Sequence, residues 1–398
     1  MSETVNQLST SELLEYLDDN KVVIIDVRSV DAYNGWKLKG EKRGGHIKGA
    51  RSLPLKWSSY IDWIEIVRSK EILPENKIIV YGYSEDEAIS VIKMFVRAGY
   101  NDVKMYASFI KEWAPDESLP MENLSRYRQL VSPNWVKALI NGENPAEFSN
   151  DKFVVCHAHY RNSDDYKMDH IPGSIALDTN ELESSVTWNR RSPEELKAAL
   201  EKHGITADTT VILYGRFSSP DNDAPFPGSS AGHLGAIRCA FIMMYAGVND
   251  VRVLNGGIQS WKDAGFEVTT EETSPEPGSD FGTVIPGKPE LAVDVPEAKL
   301  ILASESAELV SVRSWPEWIG EVSGYNYIKK KGRIPGAVFG NCGTDAYHME
   351  NYRNVDHTIK EAGEVQRTGQ KLELLLTNIW HFIAERDGVA AKHFLMRG

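Results

Sequence analysis

Ala98-Gly99-Tyr100-Asn101-Asp102-Val103-Lys104 returns later in the chain as Ala246-Gly247-Val248-Asn249-Asp250-Val251-Arg252, and each copy runs on to a tryptophan, Trp113 and Trp261. Upstream of the first copy, Glu85 to Ala98 places Ala88, Val91, Ile92 and Phe95 at helical spacing, and Ala231 to Ala246 does the same before the second. Further upstream, Lys77 to Tyr81 and Val22 to Asp26 are apolar runs short enough to be buried strands. Strands alternating with helices predict parallel α/β domains with helices on both faces of the sheet. Two more echoes extend the repeat. His46-Ile47-Lys48-Gly49-Ala50 matches His170-Ile171-Pro172-Gly173-Ser174 and Arg333-Ile334-Pro335-Gly336-Ala337, and Asp26-Val27-Arg28-Ser29 matches Ser311-Val312-Arg313-Ser314. The unit therefore occurs three times, the third copy incomplete.

The repeats place domains at 1–124, 125–274 and 290–398. Thr273 to Glu290, rich in Pro, Gly and acid, reads as a linker. Ser9 with Glu12 ahead of a Leu-rich stretch forms a capping box that opens a helix. A length of 398 residues asks for two or three cores. The formal charge of −13 disfavours nucleic acid or an anionic membrane as partner, since both repel an acidic surface. Three cysteines are too few for a disulfide framework, and the N-terminus, with Glu3, Glu12, Glu15, Asp18 and Asp19, does not read as a signal peptide. A cytoplasmic location without membrane spans is the expectation.

The stretches IIDVRS, HIKGARSLPL, IIVYG and AGYNDVKMY, followed by DHIPGSIAL, TVILYG and AGVNDVRVLNGGIQSWKDAGFEV, resemble the rhodanese (thiosulfate sulfurtransferase) domain in order and spacing. The resemblance covers residues 5–270 and, in part, 299–366. It implies three tandem α/β domains, the third incomplete. The implied activity moves sulfane sulfur from thiosulfate or a similar donor to a thiol or cyanide acceptor, through a cysteine persulfide and without a metal or other cofactor. Inward-pointing backbone N–H groups and a helix N-terminus would stabilise the thiolate and persulfide anion. The departure is sharp. Where the family carries its cysteine, this chain has Gly82 in the first unit and Gly215 in the second. Glycine cannot hold sulfur, so neither loop can carry a persulfide. Glu85 and Asp86 would further repel an anionic donor in the first loop, while Phe217 to Gly228 is an insertion in the second. Arg216 there is either an anion ligand or a solvated loop cation. By the same resemblance the third unit should hold the active cysteine, its donor site flanked by Arg313 and the loop Asn341 to Tyr347, Asn341, Thr344 and Asp345 included.

No rhodanese pattern follows about Gln366. The tail from Lys371 to Phe394 can nevertheless be back-translated so that, one base earlier, it reads Thr-Gly-Ile-Thr-Pro-Asp-Gln-His-Met-Ala-Phe-Tyr-Cys-Gly-Thr-Gly-Trp-Arg-Ser-Ser-Glu-Thr-Phe. A frameshift near Gln366 is therefore expected, with the missing cysteine straddling the codons of Ile383 and Ala384. Among the cysteines present, Cys156, which follows the apolar run Phe153 to Val155 where the first unit has Asp26, and Cys239 read as core, and Cys342 is the low-ranked catalytic candidate. His157 and His159 are either a strand-end structural pair or the start of a metal site, and Asp26 and Arg28 should form a buried pair. The rival function is a non-catalytic binding or scaffold protein whose cradles, or extensive contacts between domains, use the inactive pockets.

Overall fold

The computed structural model describes residues 6–186, 188–217, 232–324, 328–344, 349–367, 381–384 and 392–395. It divides into two compact units: Met1–Arg128 with Glu361–Gly369, and Gln129–Lys360 with Gln370–Gly398. Each is built on a five-stranded parallel sheet. In the first unit the order is Gln7–Leu8, Val103–Tyr106, Lys77–Tyr81, Val22–Asp26, Arg51–Ser52. In the second it is Leu130–Val131, Asp250–Leu254, Thr210–Tyr214, Phe153–His159, Ile175–Asp178. Strand for strand these are the same topology, as the repeats require.

Both faces of the first sheet are buried because successive residues feed opposite cores. Val23, Ile25, Ile78 and Val80 join one cluster with Trp63 and Phe95, while Ile24, Ile79 and Tyr81 join another with Phe109 and Trp113. The helix Glu85–Arg97 buries Ala88, Val91, Ile92 and Phe95, the spacing expected of it. Ser9 and Glu12 form the anticipated capping box at Thr10–Glu15. Within the first unit, Lys70 Nζ lies 2.7 Å from both oxygens of Glu364, a buried ion pair beside Trp57. In the second unit, residues read as a linker are docked. Gly278 N–H donates to Glu201 O at 2.8 Å, Phe281 is fully buried, and Lys288 N–H donates to Tyr245 O.

The second unit also contains the third copy's elements. Val310–Ser311 pairs in parallel with Val338–Phe339, joined through the short helix Trp315–Ile319. Ala292–Val293 pairs antiparallel with Lys392–Leu395, which pairs with His381–Ala384. Most of the tail and Asp345 lie outside the described residues. Among the described residues no helix is long and apolar enough to cross a membrane.

Candidate functional site

In a parallel sheet the ligand-accessible edge is the carboxyl end of the strands. In the first unit that edge carries Asp26, and Gly82 follows Tyr81. The Asp26 carboxylate accepts from Arg28 Nε at 3.0 Å, Arg28 Nη2 at 2.6 Å and Tyr81 Oη at 2.7 Å. Arg28 also donates to Gly45 O at 2.6 Å, lies 3.6 Å from Glu41 and sits over Phe109. The expected buried pair is there, enlarged by Glu41.

The Gly82 loop is occupied from within. Glu87, in the first helical turn, folds back so that its Oε2 accepts from Tyr83 N–H at 2.9 Å. A Cβ built on Gly82 would stand 3.1 Å from that oxygen and 2.8 Å from Val27 Cγ2. A carboxylate thus sits against the Gly82 loop, and Lys39 pairs with it at 3.2 Å. The sequence pointed to Glu85 and Asp86 and missed Glu87; a carboxylate one turn into the helix, within reach of the loop amides, was the available signal.

The Gly215 loop is closed differently. Gly215 N–H donates to His233 Nδ1 at 3.2 Å, and a Cβ on Gly215 would meet the carbonyl oxygen of Gly232 at 2.5 Å. Backbone cannot yield as a side-chain tip does. Gly215→Ala is therefore expected to destabilise the second unit by about 1–3 kcal/mol, read as a lower urea midpoint. An unchanged midpoint would count against this packing. His233 is fully buried, and burial, aided by the charge of Arg353 and the proximity of His357, pushes its imidazole down to about 3. Phe217 stacks on His357 at 4.2 Å and tilts against His233 at 4.8 Å. Ile359 N–H reaches Asn255 Oδ1 at 3.0 Å. The 353–359 segment is thereby fixed on the loops of the second sheet.

The strand register revises one alignment. Asp26 stands opposite Tyr81 and His157 opposite Tyr214, so His157, rather than Cys156, is the counterpart of Asp26. His157 and His159 are both buried, and among the described residues neither ring nitrogen of His157 has a hydrogen-bond partner. Burial first, then the Arg216 charge, pushes His157 down to about 3. Among the described residues no group of three or more His, Cys, Asp or Glu is placed to hold a metal. Arg216 is partly buried and pairs within the second unit: its Nη2 lies 2.7 Å from Asp169 Oδ1 and its Nε 3.9 Å from Asp165.

Arg313 turns inward, donating to Gly332 O at 2.8 Å and Ser323 O at 2.6 Å beside Glu317. Its place in the structure is a loop clamp, like that of Arg28. Asn341 accepts from Gly343 N–H at 3.2 Å, and Thr344 N–H donates to Glu350 at 2.5 Å, so the loop wraps a carboxylate. Cys342 is fully buried with Val310, Val312 and Met349. Cys156 and Cys239 are likewise buried, and burial pushes the Cys156 thiol up to about 12. All three thiols are buried.

The rhodanese-like domain family matches residues 9–116 and 132–264. The thiosulfate sulfurtransferase YnjE of Escherichia coli K12 is 36% identical over 90% of this chain and 79% of its own length. The sulfur carrier protein TtuD of Thermus thermophilus is 29% identical over 52% of the chain and 67% of its own. Solved structures of EanB superpose with a TM-score of 0.89 at 58% identity, covering 91% of this chain and 84% of theirs. Others of that protein hold hercynine, or ergothioneine covalently linked to a persulfide cysteine. With its family matches falling on two successive parallel α/β sheets, the chain belongs to the rhodanese family of sulfurtransferases as a tandem-domain member.

Proposed function

We propose that this chain derives from a persulfide-dependent sulfurtransferase whose first two rhodanese units are inactive scaffolds, and whose catalytic cysteine lies in the alternative frame of the tail. The observation that carries this is spacing. In EanB the persulfide cysteine is followed two positions later by a threonine that is replaced in several structures, and the shifted frame reads Cys-Gly-Thr. Another EanB cysteine stands forty-two positions before the persulfide cysteine, the same separation as Cys342 from position 384. A tyrosine replaced in EanB stands seventeen positions before that second cysteine, as Tyr325 does before Cys342. One offset satisfies all three.

The chemistry balances without an oxidant. A thiolate takes sulfane sulfur from a thiosulfate-type donor, which leaves as sulfite. The persulfide then passes its outer sulfur to the acceptor. With hercynine as acceptor, a carbon–sulfur bond forms at the imidazole carbon, the S–S bond breaks, the ring proton moves to the cysteine thiolate, and ergothioneine results. The 398-residue chain, with Gly82, Gly215 and three buried cysteines, is catalytically silent on this account.

The test is sequencing of the gene, followed by expression of both frames with thiosulfate and either cyanide or hercynine. The 398-residue chain should give background rates. The restored chain should exceed it by at least about 10³-fold, the scale of losing a catalytic nucleophile. A restored chain as inert as the original, or a codon string that excludes the cysteine, would overturn the proposal.

A further inference from the structure

Glu361–Gly369 belongs to the first compact unit, although all of Gln129–Lys360 separates it in sequence from the rest of that unit. Its short helix, Ala362–Arg367, carries Glu364 and Val365, which are only 4% and 2% exposed. Gly363 N–H donates to Glu361 Oε2 at 2.7 Å and Val365 N–H to Glu361 O at 3.2 Å, so the turn is shaped by its own residues. The segment therefore presents a buried carboxylate followed directly by a buried apolar side chain.

The receiving face is built by the first unit alone. Lys70 caps the helix Trp63–Ser69, and Arg51 Nη1 donates to the carbonyls of Lys70 and Glu71, which fixes the backbone there. The Lys70 side chain runs inward: the residue is 4% exposed, and its Nζ stands 5.0 Å from the ring centre of the fully buried Trp57. Among the described residues its hydrogen-bond acceptors are the two oxygens of Glu364, each at 2.7 Å. An ammonium held against an indole, out of water, is costly without a counter-charge. The face is thus matched to a carboxylate, and that carboxylate comes from the far end of the sequence.

We infer that the first unit acts as a clasp: its Lys70–Trp57 face takes the acidic and apolar helix Ala362–Arg367 of this same chain and holds the polypeptide ahead of the tail. Glu361 to Val365 precede Gln366, so the clasp goes beyond the proposed function and stands in either frame of the tail. In the 398-residue chain, Lys70→Met removes the counter-charge of Glu364. Hydrogen exchange of the 361–367 peptide, read by mass spectrometry, should then rise at least about 100-fold, the scale of losing one partner of a buried ion pair, while the Val22–Asp26 amides keep their protection. Glu364→Lys should release the segment in the same way. Combining Lys70→Glu with Glu364→Lys should bring exchange back to within about 10-fold of the parent, because the pair is restored with its charges exchanged. Unchanged exchange of 361–367 in Lys70→Met overturns the clasp. Exchange that rises equally at Val22–Asp26 also overturns it, since the pair would then serve the stability of the whole unit. Should Lys70→Met fail to fold, Glu364→Gln, which alters the segment alone, is read by the same two criteria.

Discussion

Arg28→Ala is expected to lower the unfolding free energy of the first unit by about 3–5 kcal/mol, the cost of removing one partner from a buried ion pair. The guanidinium is the shared counter-charge of two buried carboxylates, Asp26 at 2.6 Å and Glu41 at 3.6 Å, and it covers the face of Phe109 at 4.2 Å. Without it, Asp26 keeps only its hydrogen bonds from Tyr81 and the Arg28 backbone amide, and Glu41 those from Tyr83 and the Lys39 amide. Two carboxylates would then face each other out of water, and the chain would protonate them or unfold. Arg28→Lys should recover part of the loss, since it restores charge but lacks the planar fork. Hydrogen exchange at the Val22–Asp26 amides would report the change; protection within 1 kcal/mol of the parent would show that the pair carries little.

Acid should weaken the second unit through two histidines that the fold keeps neutral. His157 and His233 are both buried and held down to about 3, against an ordinary value near 6.5. Between those limits the unfolded chain takes up protons that the folded chain refuses, so stability falls as pH falls from 6.5 toward 3. Each contributes about 1.4 kcal/mol per pH unit in that window, or together about 4 kcal/mol lost between pH 8 and pH 5. Urea midpoints of the second unit across this range give the slope, to which His357, pushed down to about 4 by burial, adds, and His233→Asn should remove about 2 kcal/mol of the loss if Asn preserves the acceptor to Gly215 N–H. A flat profile between pH 7.5 and 5 would mean that these rings titrate normally.

Much of the fold was legible in the chain because parallel strands buried on both faces leave continuous apolar runs, and Val22–Asp26 and Lys77–Tyr81 end where those runs end. That neither Gly82 nor Gly215 can hold sulfur was legible for a simpler reason: a missing side chain is independent of packing. Covering of the empty loops was not legible. Glu87 folds back a full helical turn onto the Tyr83 amide, and His233 meets the Gly215 amide from eighteen residues further along the chain, with Phe217 and His357 brought together across 140 residues of sequence. Such contacts are set by the register and approach of elements. The same holds for His157, whose equivalence to Asp26 comes from its ladder partner Tyr214; the apolar run alone left the alignment one residue off.

Sequence by itself determined the tandem α/β repeat, the buried Asp26–Arg28 pair and the inability of either glycine loop to carry sulfur, because each depends on residue type and local spacing. Only tertiary structure decided that Arg216 and Arg313 turn to internal carboxylates and carbonyls, and that Glu87 folds back on the Tyr83 amide and His233 accepts from the Gly215 amide. A buried polar group must find a partner, and which partner lies within 3 Å is fixed by packing.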